Sequence, residues 1–301
     1  MYDLVVIGGG PAGLTATVYA IRKRLNVLMV TKDLGGKTNY HLALPWIQDY
    51  QVIRGLEIVN KFRSELEYLD FARTMESVEK VIKAGEGFKV STKEGSVFET
   101  RTVIIATGAR QVRMDVPGEK EYTMKGLCYS ALSYAPLCID RTTIVIGDGD
   151  LAVRSASELA IASKQVYLVC RTGSALKSPL GKKLEISKNV TILKGNEVVE
   201  VKGDEFARSL VLKDESGNLK EISADAMFVE QALTPMTNMV AGLVALDEHK
   251  RIIVDCANRT DVSGVFAAGD VTNTYAEQVL VAVGEGAKAA LSAYEYLLPT
   301  L

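Results

Sequence analysis

Cysteine and histidine are scarce in this sequence, and their spacing limits the chemistry that they can support. The chain has 301 residues, among them 4 cysteines and 2 histidines. Cys128, Cys138, Cys170 and Cys256 include no C-x-x-C pair, so neither a zinc motif nor a disulfide framework is indicated. We therefore expect reduced thiols and no metal site.

An excess of basic residues and a long apolar run are also missing. The formal net charge is −2, which gives no reason to expect binding to nucleic acid. No apolar run reaches the roughly 18 residues that a membrane-spanning helix needs. The opening MYDLVVIGGG lacks the basic segment of a secretory signal. These absences favour a cytoplasmic protein that binds neither nucleic acid nor a membrane.

A glycine-rich turn occurs in residues 3–16, DLVVIGGGPAGLTA. The uninterrupted LVVI is typical of a parallel strand that is buried on both faces. The G-x-G-x-x-G pattern then permits a tight turn, a close approach of the backbone to a pyrophosphate, and close packing of the following helix. The helix N-terminus adds N–H donors and the positive end of the helix dipole. The predicted dinucleotide contacts are Gly8, Gly10, Pro11, Ala12 and Gly13.

Later stretches extend this nucleotide-binding pattern. The second strand ends at Thr31, where the acid that usually binds a ribose hydroxyl is replaced. The stretch TVIIATGAR (102–110) predicts a strand and a turn of small residues, and GVFAAGDV (264–271) predicts a strand that ends at Asp270. Residues 275–298 indicate one long helix. Asp270 then faces a helix N-terminus, where it accepts from a flavin ribityl hydroxyl or serves as a simple helix cap.

The motifs GGGPAG, ATGA and GVFAAGDV, in this order and at this spacing, resemble the flavoprotein disulfide reductases. The short chain without a separate dimerisation domain is most similar to the low-molecular-weight thioredoxin reductase type. This resemblance implies FAD on the first glycine turn and a homodimer. It also implies FAD contacts from Thr31, Gly35, Gly36, Lys37, Asp49, Val78, Thr107, Gly108, Gly269, Asp270, Gln278 and Val279. Lys37 stands where the family usually has glutamine.

The resemblance also implies an organisation of the chain. It indicates an α/β fold with two Rossmann-like, three-layer ββα dinucleotide-binding domains, the second inserted in the first. The FAD domain would comprise residues 1–115 and 240–301, and a degenerate pyridine-nucleotide-type domain would comprise residues 116–239. Two hairpin-like stretches, 87–95 and 209–223, would contribute the β-meander of each domain.

The redox cysteines of the family are missing from their expected place. The spacing to the second glycine loop puts them at Ser130 and Ser133 of CYSALSYAP, and puts the family's proton-donating aspartate at Tyr134. Serine hydroxyls cannot exchange electrons as a dithiol does, because they form no S–S bond. Cys128 is the candidate for a thiol that acts alone near the flavin, and the alternative is a small buried side chain. Tyr129 and Tyr134 are candidates for stacking on a flavin ring.

The second glycine loop, VIGDGDLAVRSA (145–156), departs from the family's NADPH-binding sequence. If the Asp148 side chain pointed toward a phosphate at about 5 Å, their repulsion would be roughly 3 kcal/mol. Arg154 and Ser155 replace paired glutamates, and Thr172 replaces one arginine of the 2′-phosphate clamp. We therefore expect weak or lost NADPH binding. The candidates for a second nucleotide site are Gly147, Gly149, Asp150, Arg154 and Arg171.

Three hypotheses of function remain open at this point. The first is an FAD-dependent oxidoreductase that works with a redox protein such as ferredoxin or a thioredoxin-like protein, or that holds a second FAD in the former NADPH pocket. The second is a flavin-binding sensor or interaction protein without turnover. The third is an NADPH-dependent reductase with an unusual acceptor. The intact flavin motifs favour the first hypothesis.

Overall fold

The computed structural model describes residues 1–47 and 55–301. The strands are β1 (Tyr2–Ile7), β2 (Val27–Val30), β3 (Arg73–Thr74), β4 (Val78–Ala84), β5 (Gly87–Thr92), β6 (Val97–Ile105), β7 (Ala109–Gln111), β8 (Leu127–Cys128), β9 (Thr142–Ile146), β10 (Gln165–Cys170), β11 (Val190–Lys194), β12 (Asn196–Gly203), β13 (Ala207–Asp214), β14 (Leu219–Ser223), β15 (Ala226–Val229), β16 (Leu233–Pro235) and β17 (Val265–Ala267). The α-helices are α1 (Pro11–Arg22), α2 (Leu56–Tyr68), α3 (Glu119–Tyr122), α4 (Ala131–Tyr134), α5 (Asp150–Ala162), α6 (Pro179–Glu185) and α7 (Val279–Leu297). Short 3₁₀ helices occur at Gly36–Asn39, Asp70–Ala72, Ala135–Cys138, Ser174–Lys177, Asn238–Val240 and Leu298–Thr300.

Two compact units share the chain. Within the described residues, the first unit comprises residues 1–39, 55–110 and 234–301, and the second comprises residues 40–47 and 111–233. The second unit is thus inserted in the sequence of the first. Each unit contains a sheet with adjacent parallel strands, which confirms the predicted α/β fold of two Rossmann-like domains.

The first unit is built on a sheet in the order β3-β2-β1-β6-β5-β4, with β17 also paired to β6. β1 pairs in parallel with β2 and β6, and its apolar residues point alternately to the two faces. Leu4 and Val6 pack in the core that α1 and α7 line, whereas Val5 and Ile7 pack in the core on the side of β4 and β5. Burial on both faces explains the uninterrupted apolar run.

The second unit repeats this layered arrangement. Its parallel sheet runs β11-β10-β9-β15-β8, and β12-β13-β14 form a separate antiparallel sheet. Val145 packs with residues of α5, whereas its neighbours Ile144 and Ile146 pack with residues of β12 and β13. β13 and β14 pair as the predicted hairpin, and Gly217 in its turn has φ +86°, a conformation that favours glycine.

The two units contain the same strand–loop–helix–strand segment. β1 leads through residues 8–10 into α1 and then β2, and β9 leads through residues 147–149 into α5 and then β10. Gly10 and Gly149 directly precede the two helices, and the ψ angle of each is −178°. The two loops therefore enter their helices in the same way, although their sequences differ.

The C-terminal helix begins later than the sequence pattern predicts. The predicted helix covers residues 275–298, whereas α7 covers Val279–Leu297, so the predicted start is wrong. The Glu285 carboxylate of α7 accepts hydrogen bonds from the Gly269 N–H and the Thr274 hydroxyl, both at 2.7 Å. These bonds hold the segment before the helix as a loop.

Membrane-spanning and metal-binding features are absent from the part of the chain that the structure describes. No described helix has both the length and the apolar character that crossing a membrane requires. Within the same residues, no group of three or more His, Cys, Asp and Glu side chains is placed to hold a metal ion.

Candidate functional site

Gly8 and Gly13 of the first glycine loop are sites of close backbone packing. Gly8 has φ +107°, and a Cβ atom there would lie 2.4 Å from the Ala106 carbonyl oxygen. A Cβ atom at Gly13 would lie 1.8 Å from the Gly8 carbonyl oxygen. Neither position accepts a larger residue unless the backbone moves. These contacts place the start of α1 directly against the end of β1.

Gly10 of the same loop borders open space. A Cβ atom at Gly10 would meet no heavy atom within 4 Å. α1 begins at Pro11 without a side-chain cap, and the Leu14 N–H donates to the Gly10 carbonyl at 2.9 Å. The N–H groups of Ala12 and Gly13 precede that first intrahelical bond. Open space beside such N–H donors is the arrangement that binds a phosphate.

The loop after β2 contacts the middle of this turn. The Gly35 N–H donates to the Gly9 carbonyl at 2.7 Å, and the Thr31 hydroxyl donates to the Asp33 carbonyl at 2.8 Å. The Asp33 carboxylate accepts the Gly36 N–H at 2.9 Å. Thr31 thus uses its O–H inside the loop, and its oxygen retains only the capacity to accept a hydrogen bond.

Lys37, which departs from the family's glutamine, lies against Asp270. The Lys37 Nζ forms an ion pair with the Asp270 carboxylate, whose side chain is 13% exposed. The backbone beside Asp270 is held in place, because Gly269, with φ +78°, donates its N–H to the Glu285 carboxylate. The ammonium group of Lys37 therefore lies beside the Asp270 carboxylate, which is predicted to bind the ribityl chain.

Thr107 and Gly108 follow β6 in the first unit. The Thr107 hydroxyl donates to the Met236 carbonyl at 2.7 Å, and the Met236 N–H donates to the Gly108 carbonyl at 2.9 Å. Gly108 has φ +70°, and a Cβ atom there would meet no heavy atom within 4 Å. Thr107 is thus anchored to a neighbouring segment, while Gly108 borders open space as Gly10 does.

The other predicted FAD contacts are spread along the first unit. Val78 is the first residue of β4 and pairs with Thr92. Gln278 is exposed and directly precedes α7, and Val279 is the half-buried first residue of that helix. Asp49 lies outside the described residues, so its predicted role has no structural account.

Gly147 of the second glycine loop is packed as tightly as its counterpart in the first. Its N–H donates to the Val169 carbonyl at 3.0 Å, and a Cβ atom there would lie 2.2 Å from the Glu230 carbonyl oxygen. The third glycine of the pattern is replaced by Ala152, which is fully buried. The second loop therefore packs as closely against the neighbouring strand end as the first loop does. It also accommodates the methyl group of Ala152, where the first loop has Gly13.

The start of α5 brings together three of the predicted second-site residues. A Cβ atom at Gly149 would meet no heavy atom within 4 Å, and α5 begins at Asp150 without a side-chain cap. Arg154 is exposed one turn further along the helix. Arg171 is directed elsewhere: its side chain is 73% exposed, and its Nε lies 3.8 Å from the Glu197 carboxylate. Gly149, Asp150 and Arg154 therefore lie together at the start of α5, whereas Arg171 lies beside Glu197.

The Asp148 side chain is directed to the loop after β10. Its Oδ1 accepts the Thr172 N–H at 2.7 Å, the Thr172 hydroxyl at 2.9 Å and the Gly173 N–H at 2.9 Å. Its Oδ2 accepts the Arg171 N–H at 3.2 Å. Partial burial alone would raise the pKa of this carboxyl, but these hydrogen bonds hold the pKa below its ordinary value. The carboxylate therefore bonds to the loop after β10, whereas the repulsion expected from the sequence assumed a side chain directed toward a pyrophosphate at the glycine loop.

Ser130 and Ser133 lie side by side at the start of α4. Their Oγ atoms are 2.9 Å apart and share a hydrogen bond, and Ser130 directly precedes the helix. The structure therefore brings together the two side chains that the sequence predicts at the place of a dithiol. Hydroxyl groups in this geometry hold no exchangeable electron pair.

Comparisons with known proteins agree with this architecture. Residues 2–286 match the family model described as pyridine nucleotide-disulphide oxidoreductase. The chain belongs to this family. It is 32% identical to the thioredoxin reductase of Streptococcus pyogenes, with 99% of each chain covered and a TM-score of 0.88. The thioredoxin reductase of Giardia duodenalis is 29% identical, with 99% of each chain covered and a TM-score of 0.87.

A curated relative extends the comparison. Alkyl hydroperoxide reductase F of Pseudomonas aeruginosa is 35% identical over 307 residues, which cover 99% of this chain and 59% of the relative. The chain thus spans about three-fifths of that relative's length. Together, these similarities show a member of the pyridine nucleotide-disulphide oxidoreductase family that has the fold of the thioredoxin reductases.

Cys128 of this pyridine nucleotide-disulphide oxidoreductase lies in the core of the second unit. It is 2% exposed, and burial raises the pKa of its thiol to about 12. Burial also raises the pKa of the Cys138 thiol to about 12. Since the thiolate is the reactive form, neither cysteine is a nucleophile near neutral pH. The structure gives no support to Cys128 as a catalytic thiol and fits the alternative of a small buried side chain.

The two tyrosines beside the serine pair pack on different sides of the second unit's sheet. The Tyr129 hydroxyl donates to Glu119 at 2.7 Å, and burial together with this bond raises the pKa of Tyr129 to about 12. Tyr129 packs with residues of β12 and β13, whereas Tyr134 packs with residues of α5. They therefore do not form a common platform for an aromatic ring.

Glu230 is a buried residue that the sequence reasoning missed. It directly follows β15 and is 3% exposed. Its Oε1 accepts the Ala131 N–H at 2.7 Å and the Ser155 hydroxyl at 3.0 Å. Ser155, which replaces a family glutamate, thus contacts a carboxylate that another strand supplies. The available signal was a charged residue placed directly after the apolar run AMFV.

Proposed function

We propose that this family member is an FAD-dependent oxidoreductase that moves electrons without an internal dithiol and without NADPH. The observation that carries the proposal is the Ser130–Ser133 pair, whose Oγ atoms lie 2.9 Å apart. These hydroxyls hydrogen-bond to each other at the start of α4, but they cannot form or break a disulfide. The buried Cys128 thiol, with its raised pKa, does not replace them. The electron acceptor is therefore a group outside this pair.

The first unit would hold the FAD. The N–H groups of Ala12 and Gly13 would bind the pyrophosphate in the open space at Gly10. Thr31 would accept from the ribose, and Asp270 would accept from the ribityl chain. When bound, FAD supplies the redox centre, and the protein supplies its binding and orientation. The other FAD contacts predicted from the sequence are part of this proposal.

The proposed electron donor is a redox protein such as ferredoxin, and the alternative arrangement has a second FAD carried in the former NADPH pocket of the second unit. The engagement of Asp148 with the N–H groups of residues 171–173 supports a departure from NADPH. The open space at Gly149 supports the retention of a phosphate-bearing ligand. A homodimer and a thioredoxin-like protein partner are further parts of the proposal, and they rest on the family resemblance.

An NADPH-dependent reductase with an unusual acceptor is the second candidate. The observation that favours it is the similar backbone before α5 and α1. Gly149 directly precedes α5, Gly10 directly precedes α1, and both glycines have a ψ angle of −178°. The relatives named thioredoxin reductase and alkyl hydroperoxide reductase F are both reductases, and this candidate keeps the chain in that class. It still requires an acceptor other than the serine pair.

The flavin content and anaerobic reduction of the purified chain test both candidates. The released FAD is counted per chain, and NADPH, NADH and reduced ferredoxin are then added separately while the visible spectrum is recorded. We expect FAD that NADPH leaves oxidised and that reduced ferredoxin bleaches. Rapid bleaching by NADPH would contradict the proposal and support the second candidate. FAD that no donor reduces would indicate a flavin-binding protein without turnover.

A variant with both Ser130→Cys and Ser133→Cys tests the placement of the missing dithiol. Since the Oγ atoms are 2.9 Å apart, we expect the two new thiols to form a disulfide under mild oxidation. Thiol titration before and after reduction measures it, and Ser133→Cys alone is the control. Two thiols that remain free would show that this pair does not have the geometry of a redox disulfide.

A further inference from the structure

The loop after β10 binds the Asp148 carboxylate of the second glycine loop, at a place where a Rossmann-like unit receives the adenosine ribose. We propose that Asp148 fills the position of a 2′-phosphate and makes the second unit selective for an adenine dinucleotide with a free 2′-hydroxyl. The inference rests on one part of the proposed function, namely that the second unit still binds a nucleotide or a flavin. It adds the chemical class of that ligand and the residue that determines it.

Three successive N–H groups and one hydroxyl converge on the Asp148 carboxylate. The Arg171 N–H reaches Oδ2 at 3.2 Å, and the Thr172 and Gly173 N–H groups reach Oδ1 at 2.7 and 2.9 Å. The Thr172 hydroxyl reaches Oδ1 at 2.9 Å. Gly173 has φ +63°, and successive N–H groups around such a residue form a concave anion-binding site. The chain's own carboxylate occupies that concavity.

The topology places this concavity beside the adenosine ribose. In a Rossmann-like unit, the segment after the second strand contacts the 2′-hydroxyl or the 2′-phosphate. β9 and β10 are adjacent parallel strands, α5 connects them, and residues 171–173 directly follow β10. The Ser174 hydroxyl also donates to the Asp148 carbonyl at 3.3 Å, which ties the glycine loop to the same segment.

A 2′-phosphate would meet two obstacles at this place. It would face the charge of the Asp148 carboxylate, and it would need N–H donors that this carboxylate already occupies. The Arg171 guanidinium offsets little of this charge, because its side chain is 73% exposed and faces the Glu197 carboxylate at 3.8 Å, so solvent screens its attraction. A free 2′-hydroxyl can instead donate to a carboxylate, as it does in NAD-binding sites.

Titration calorimetry with NAD⁺ and NADP⁺ measures this selectivity, because the two ligands differ only in the 2′-phosphate. The flavin is counted first, so that a second unit already filled with FAD is recognised. The variants are Asp148→Gly, which removes the carboxylate, and Asp148→Asn, which keeps the shape of the loop. The control is Glu158→Gln, which removes one charge from an exposed position of α5.

We expect the wild-type chain to bind NAD⁺ at least about tenfold more tightly than NADP⁺. Asp148→Gly is expected to gain about tenfold or more in affinity for NADP⁺, because three N–H groups become available. The Lys194 side chain also passes Gly173 and provides a nearby cation. Asp148→Asn is expected to gain less, and Glu158→Gln is expected to keep the wild-type ratio.

Any of three results would overturn the inference. The wild type could bind NAD⁺ and NADP⁺ equally tightly, both Asp148 variants could keep the wild-type ratio of the two affinities, or Glu158→Gln could change that ratio as much as the Asp148 variants do. A chain with one FAD that binds neither ligand in any variant would also overturn it. Two FAD molecules per chain would support it, since FAD also carries a free 2′-hydroxyl, provided that Asp148→Gly exchanges the second FAD for NADP⁺. NADPH that binds weakly yet reduces the flavin would contradict the proposed function and leave this inference intact.

Discussion

The two glycine loops enter their helices in the same way but carry different middle residues. In the first loop, a Cβ atom at Gly9 would lie 2.2 Å from the Asp33 carbonyl oxygen and 2.7 Å from the Thr31 Oγ1. In the second loop, Asp148 reaches across to accept the N–H groups of residues 171–173. The loop after the second strand thus presents a carbonyl in one unit and N–H donors in the other. The polar groups of this loop explain why the first glycine loop has Gly9 at its middle position and the second can have Asp148 there.

The neighbouring strand end differs between the units as well. A Cβ atom at Gly8 would meet the Ala106 carbonyl, and a Cβ atom at Gly147 would meet the Glu230 carbonyl. Ala106 and Glu230 therefore hold matching places. Ala106 is small and apolar, whereas Glu230 directs a buried carboxylate to the start of α4 and to Ser155 in the second turn of α5. The first unit keeps an apolar strand end, and the second replaces it with polar contacts.

Gly13→Ala is expected to have the largest effect on the first unit. The new Cβ atom would lie 1.8 Å from the Gly8 carbonyl oxygen, so the start of α1 has to move away from β1. We expect the free energy of unfolding to fall by about 3 kcal/mol or more. Denaturant unfolding followed by circular dichroism measures the loss. A variant as stable as the wild type would show that the first loop tolerates the alanine that the second loop has at residue 152.

Glu230→Ala is expected to have the next largest effect, and it acts on the second unit. The Ala131 N–H and the Ser155 hydroxyl lose the acceptor that they share, and unpaired buried donors cost about 2 kcal/mol of stability. Glu230→Gln keeps an acceptor at the same place, so we expect less than half of that loss. The same unfolding assay compares the two variants. Equal losses would mean that the charge of Glu230 matters and its role as an acceptor does not.

Gly10→Ala separates cofactor binding from packing. Its Cβ atom would meet no protein atom within 4 Å, so we expect the chain without flavin to unfold at the wild-type denaturant concentration. The added methyl group lies where the pyrophosphate is proposed to bind, and we expect FAD affinity to fall about tenfold, or about 1.4 kcal/mol. Fluorescence titration of the flavin-free chain with FAD measures the affinity. Unchanged affinity would place the pyrophosphate elsewhere.

Asp148→Asn is expected to have the smallest effect on stability, with a defined pH dependence. The pKa of the folded carboxyl lies below its ordinary value of 3.8, so the charged form stabilises the fold above that pH. This stability is lost as the pH falls through the folded pKa. Solvent screening limits the expected loss in the variant to about 1 kcal/mol near pH 7. Unfolding at pH 7 and at about pH 3 should show the difference shrink, and a constant difference would assign it to shape instead of charge.

Local sequence patterns were sufficient to predict the two strand–loop–helix segments. Gly8, Gly13 and Gly147 all prove to be positions where a Cβ atom would collide with neighbouring backbone. The uninterrupted apolar run of β1 likewise agrees with a strand that is buried on both faces. These features depend on residues close in sequence, which is why spacing alone reveals them.

Contacts between distant residues could not be predicted in the same way. The direction of Asp148 depends on N–H groups that lie more than 20 residues away. Glu230 bonds to Ala131, which is 99 residues away. The start of α7 depends on Glu285, which bonds back to Gly269, 16 residues earlier. In each case the residue type is visible in the sequence, and the partner emerges only when the chain is folded.

The serine pair also affects how the chain meets an oxidising environment. A dithiol changes its covalent structure with the surrounding redox potential, whereas the hydrogen bond of Ser130–Ser133 does not. Cys128, Cys138 and Cys170 are buried, and burial raises the pKa of each thiol. Peroxides attack accessible thiolates, so Cys256, which is exposed, is the place where they would act. The core of the second unit therefore keeps the same covalent structure under oxidative stress. The corresponding site of a dithiol enzyme would alternate between a dithiol and a disulfide.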